Sequence, residues 1–149
     1  MLTSLFDDAP WALERFLGSG GTGPDVAGRE LDRFFELAAQ GKRPLAMISR
    51  NVDLLWHTLI EHTELYAAFC RKRYGRFIHH RPRSATCPIP ASAVRNFYND
   101  YAAQYGPVGA EWEADAPSEL VAFGRRRTDE EPRNARWSGW PGPDPLPSA

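Results

Sequence analysis

Histidine, cysteine and methionine are scarce in this chain of 149 residues, which holds four, two and two of them. Two cysteines cannot build the dense disulfide framework that staples small secreted folds, and a chain of this length needs none. An excess of one charge is missing too: 18 Lys and Arg stand against 19 Asp and Glu, for a net charge of -1. Binding to a nucleic-acid backbone needs a basic face, so that class of partner is excluded. Long apolar runs are absent, and nothing approaches the roughly 18 consecutive apolar residues of a membrane helix. The opening MLTSLFDDAPW has no basic stretch and carries acids early, unlike a secretory signal. Together these absences predict a cytoplasmic protein with reduced thiols.

What is present reads as one globular domain, with 42% hydrophobic and 25% charged residues. The predicted fold class is mainly α: a compact single-domain bundle of about five helices over residues 1–127, followed by a Pro/Gly-rich tail over 128–149. Helices are expected over 7–17, capped by Asp7 or Asp8 with Pro10 in the first turn, and over 24–40. The second has Val26, Leu31, Phe34, Phe35, Leu37 and Ala38 as its apolar stripe. Further helices are expected over 49–61, over 64–74 behind a Thr63 cap, and over 92–105 with Val94, Phe97, Tyr98, Tyr101 and Ala102 buried. Ser118 to Phe123 reads as a short last turn. Gly41, Gly75 and Gly106 stand where helices should end. The segment 18–23, GSGGTG, is a linker. The triplets Arg71-Lys72-Arg73 and Arg125-Arg126-Arg127 read as solvated charge, the first on the outer side of a helix. The tail, with Trp137 and Trp140, is expected to be extended or disordered, or docked on the domain.

All four histidines and one of the cysteines fall between Trp56 and His80. Asp53, His57 and Glu61 follow one another at four-residue steps and share a helix face, as do Tyr66, Cys70 and Tyr74 on the next helix. Packing of the two helices would bring His57 towards Cys70. The extended segment holding His79 and His80 would turn one of that pair the same way. Asp, His, Cys and His form a competent donor set for zinc, iron or copper, with Asp53 as ligand or as orienter of the imidazole. The spacing lacks the short gaps of a zinc finger and the paired histidines of HExxH. Metal-free readings compete at each position. Asp53 and His57 also make a good helix pair, Cys70 beside Phe69 suits a small buried residue, and His62 sits where it can cap a helix. Trp56, Tyr66, Phe69, Tyr74 and Phe77 read as core. Cys87, before a proline in a loop, reads as a bystander.

The string Asp53-x-x-Trp56-His57, Thr63-x-x-Tyr66-x-x-Phe69-Cys70, Gly75-x-Phe77-Ile78-His79-His80-x-Pro82 resembles the bacterial members of the glycine-rich domain-containing protein-like family. The likeness covers about a third of the chain, from Val52 to Pro82 plus the preceding helix. It implies a shared helical site on His57, Cys70 and the His79–His80 pair, supported by Asp53, Trp56, Thr63, Tyr66, Gly75 and Pro82; it implies no particular reaction. Some relatives carry a second histidine at the position of Leu59, so Leu59→His is expected to be tolerated here. The glycine-rich region of the larger relatives is absent.

Three functions follow. The first is a small metal-binding helical protein, with metal-assisted oxidation or hydrolysis of a small-molecule substrate where a coordination position stays open. The second is a metal-free module that binds a protein partner through its helices or its WSGWPGPDPLP tail. The third is an enzyme with Cys70 as nucleophile and a histidine as base, which ranks last because a mid-helix cysteine lacks the surroundings that lower a thiol pKa. Nothing in the sequence assigns an oligomeric state.

Overall fold

The structure, a computed structural model, describes residues 4–81, 88–126 and 136–137, the last two by backbone alone. Among the described residues there are eight helices: α1 (Leu5–Asp8), α2 (Pro10–Gly18), α3 (Pro24–Ala39), α4 (Arg50–Ile60), α5 (Thr63–Tyr74), α6 (Ala91–Tyr105), α7 (Ala110–Glu113) and α8 (Ser118–Arg125). Two-residue strands β1 (Ile89–Pro90) and β2 (Arg136–Trp137) complete the described elements. The mainly α expectation holds and the helix count does not. Five helices match those foreseen and α8 extends the foreseen last turn, while α1 and α7 are additional.

The extra helix α1 arises at Pro10. A residue before proline is pushed out of the helical region, and Ala9 sits at φ -137°, ψ 58°, which splits the expected helix in two. Ser4, not Asp7 or Asp8, caps the first piece. Its hydroxyl accepts from the Phe6 N–H, and its own N–H donates to the Asp7 carboxylate at 2.9 Å. The helix α7 was missed because its one apolar anchor, the fully buried Trp112, stands alone among Gly, Ala and Glu.

The chain divides into two compact units: residues 1–40 with 51–79, and residues 41–50 with 80–149. In the first unit α1 packs on α2 and α3, and α3 packs on α2 and α5. Its core is aromatic. Phe35 lies 5.3 Å from both Trp56 and Tyr74 between ring centres, in edge-on geometry. The expected stripe of α3 is buried at Leu31, Phe34, Phe35 and Leu37, but Val26 is 40% exposed. At the end of α5, Gly75 takes the left-handed conformation at φ 76°, and its N–H reaches the Arg71 carbonyl.

The basic triplet of α5 is not simply solvated charge. Arg73 is nearly buried and pairs with Asp8 at 2.8 Å and Asp32 at 3.1 Å, while Lys72 reaches Asp8 at 2.7 Å. The Tyr74 hydroxyl donates to Asp32 at 2.6 Å. Asp8, expected as a cap, therefore ties α1 to α5.

In the second unit α6 packs on α8 and β1. Phe97 and Tyr101 of α6 close on Trp112, at 4.7 and 6.1 Å between ring centres. The extended segment before α4 is fixed to α6: the Ala46 N–H donates to the Ala93 carbonyl, and Asn96 donates to the Pro44 carbonyl at 3.0 Å. Gly124 has no room for a side chain, since a Cβ there would lie 2.1 Å from the Tyr98 ring. β1 and β2 pair antiparallel, Ile89 opposite Trp137 and Pro90 opposite Arg136. Ala102, expected to be buried, faces solvent.

Candidate functional site

α4 buries almost its whole length. Val52, Asp53, Leu55, Trp56, His57, Thr58 and Leu59 are all buried. A helix enclosed in this way should carry apolar residues all round, so its two buried ionisable side chains stand out. Asp53 sits in the first turn, where the N–H groups of the helix start favour an acid. His57 lies one turn later, with Nε2 at 3.3 Å from Asp53 Oδ2 and each side chain only 8% exposed. The carboxylate thus orients the imidazole in a dry environment, where both groups cost free energy unless paired. Glu61, the third member of the expected face, leaves this pair and bonds Arg15 at 2.6 Å on the exposed surface.

Cys70 lies in a different setting. It is fully buried beside Tyr66, whose hydroxyl accepts from the Trp56 indole N–H at 3.0 Å and donates to the Ile78 carbonyl. Burial pushes the Cys70 thiol up from its ordinary pKa, partly offset by hydrogen bonds with the Ile78 backbone and the Tyr66 hydroxyl. Burial likewise pushes the Tyr66 hydroxyl well above its ordinary value. Among the described residues, Cys70 joins no cluster of three or more carboxylate, imidazole and thiol groups. A protonated, enclosed thiol is a poor nucleophile. Iodoacetamide at neutral pH should therefore modify Cys70 in the folded protein at least about 100-fold more slowly than in urea, a ratio set by the free energy of the opening that exposes the thiol; mass spectrometry of the Cys70 peptide measures it. Comparable rates would restore the nucleophile reading.

The histidines divide by environment. His79 is exposed, with its ring edge-on to Phe77 at 4.7 Å, and Phe77 packs in turn on Tyr66 at 5.2 Å. His80, which opens the longer segment of the second unit, is half-buried. His62 sits at the junction foreseen for it: its carbonyl accepts from the Tyr66 N–H, and its ring lies edge-on to Trp11. Pro82 and Cys87 lie outside the described residues. Sequence reasoning assigned Tyr66 to packing and missed its hydroxyl as the link between Trp56 and Ile78. Helical spacing shows that a tyrosine is buried, not what its oxygen touches.

Residues 24–95, just under half of the chain, match a family model described as UCP032817-like. That match corrects the resemblance to the glycine-rich domain-containing protein-like family. Many of the residues that carried the resemblance have structural work in this fold: Trp56 and Tyr66 bond each other, and Gly75 ends α5. Such features recur wherever two helices and a turn are packed, and they do not identify a family. No curated protein matches the chain, and no solved structure matches it.

Proposed function

We propose that the protein binds a transition-metal ion at the buried Asp53–His57 pair of α4. The observation that carries the proposal is the buried Asp53–His57 pair, 3.3 Å apart on one face of α4. A bound ion would draw on both groups, and their buried surroundings strengthen its attraction to the carboxylate. His79 is left out because its ring is exposed against Phe77. Cys70 is left out because its thiol is engaged by Tyr66 and the Ile78 backbone. Zinc, iron and copper all suit imidazole with carboxylate.

Plasma mass spectrometry of untagged protein tests the proposal. The expected result is near-stoichiometric metal in the wild type, its loss in His57→Ala, and a 10- to 100-fold weaker affinity in Asp53→Asn if Asp53 orients rather than ligates. A wild type that stays metal-free after anaerobic reconstitution would overturn the proposal. The metal-free interaction module would then lead. It draws support from Leu13 and Leu17, one turn apart on α2 and 36% and 48% exposed.

A further inference from the structure

We infer that Asn51 is a positioning residue for the proposed metal site: its side-chain amide clamps the backbone of Thr22 and thereby holds the first turn of α4, and with it the Asp53 carboxylate, in place. The inference rests on the metal-binding proposal and names what sets the geometry of that site. All the residues concerned belong to the first unit. Asn51 Oδ1 accepts from the Thr22 N–H at 3.0 Å, and Asn51 Nδ2 donates to the Thr22 carbonyl at 2.8 Å. A planar amide that accepts from and donates to the backbone of one residue copies the pairing of two peptide groups. Two such bonds fix an angle as well as a distance.

The far side of the clamp is itself fixed. The segment GSGGTG reads as a linker in the sequence, yet Gly21 within it is buried. Its N–H donates to the Phe16 carbonyl at 2.9 Å, and a Cβ at Gly21 would lie 2.3 Å from the Phe16 ring. Thr22 is therefore a firm anchor for a helix that begins far along the chain. Asn51 and Asp53 both lie in the first turn of α4, and helix ends are where fraying starts. His57 sits one turn deeper. Positions two apart on a helix point to nearly opposite sides of its axis, so Asn51 acts on Asp53 through the backbone and not as a further ligand. Loss of the clamp should loosen the carboxylate and spare the imidazole.

Titration of the metal-depleted full chain with zinc, iron(II) and copper(II), each against a chromophoric chelator, tests this beside urea melts of the metal-free protein. Asn51→Ala is expected to weaken the best-bound ion about tenfold, the low end of the range for residues that orient metal ligands. In an Asp53→Asn background the same substitution should leave affinity unchanged, because the carboxylate it positions is gone, while its cost in stability persists. Thr22→Ala should match the wild type, since the clamp holds backbone atoms and the Thr22 hydroxyl stands only at 3.5 Å from Asn51 Oδ1. If Asn51→Ala fails to fold, Asn51→Gln, whose amide lies one carbon farther out, carries the same comparison. Wild-type affinity in the Asn51 variant, or an equal loss of affinity with and without the Asp53 carboxylate, would overturn the positioning role while leaving metal binding intact. A wild type that takes up none of the three ions would instead overturn the metal-binding proposal and this inference with it.

Discussion

Leu59→His is expected to destabilise the protein by about 3 kcal/mol or more, because it places an imidazole without a partner where a leucine is packed. The sequence resemblance led to the opposite expectation. Leu59 is fully buried in α4, two residues beyond His57. Successive helical residues step by about 100°, so positions two apart point to nearly opposite sides of the axis. A histidine at 59 would thus not extend the Asp53–His57 face; it would enter the apolar packing on the other side. A urea melt of the variant should show a lower midpoint with the slope unchanged. The metal content of protein that remains folded should not rise. A midpoint equal to wild type would mean that the Leu59 environment supplies a polar partner.

The second large effect is expected at Arg73. Arg73→Met should cost about 2–3 kcal/mol at neutral pH, at or below the low end of the roughly 3–5 kcal/mol for breaking a fully buried ion pair, because Asp8 and Asp32 are partly exposed. The cost arises because Asp8 and Asp32 both lose their shared cation. Lys72→Met should cost less than about 1 kcal/mol, although Lys72 bonds the same Asp8, because its side chain is 72% exposed and screened by water.

The acid dependence separates the two roles. Hydrogen bonds from Lys72 and Arg73 hold the Asp8 carboxyl below its ordinary value of 3.8. A carboxyl depressed in the folded state contributes fully above its unfolded value and loses that contribution as pH falls through the folded one. The stability gap between wild type and Arg73→Met should therefore be widest near neutrality and shrink once the pH drops below the ordinary range of aspartate. Denaturant melts at a series of pH values measure it. A gap that stays constant into acid would mean that Arg73 acts through packing and not through its charge.

Much of the helical layout was legible because its signals are local. Gly75 and Gly106 end α5 and α6, and Pro24 starts α3, at the positions their backbone preferences dictate. The Asp53–His57 pair was legible for the same reason, since four-residue spacing in a helix is geometry. What escaped depended on long-range partners. Nothing near Arg73 in the sequence shows that Asp8 lies opposite it, 65 residues away. The commitment of Cys70 to Tyr66 and Ile78 depends on where the chain returns after Gly75. The break at Ala9 was local and still missed, because Pro10 was read as an early helical residue without weighing what it does to the residue before it.

The β1–β2 pairing changes the meaning of a truncation. Residues 128–149 are the natural segment to delete in a search for a partner-binding peptide, yet Arg136 and Trp137 are half of a backbone ladder whose other half is Ile89 and Pro90. Pro90 has no N–H to give, so this short ladder depends on few bonds. Shortening the chain at 127 leaves the backbone at the entrance of α6 without its opposite strand. Any change in binding would then report a rebuilt edge as well as a missing peptide. Point substitution of Trp140, which leaves the 136–137 backbone in place, tests the peptide without dismantling the edge.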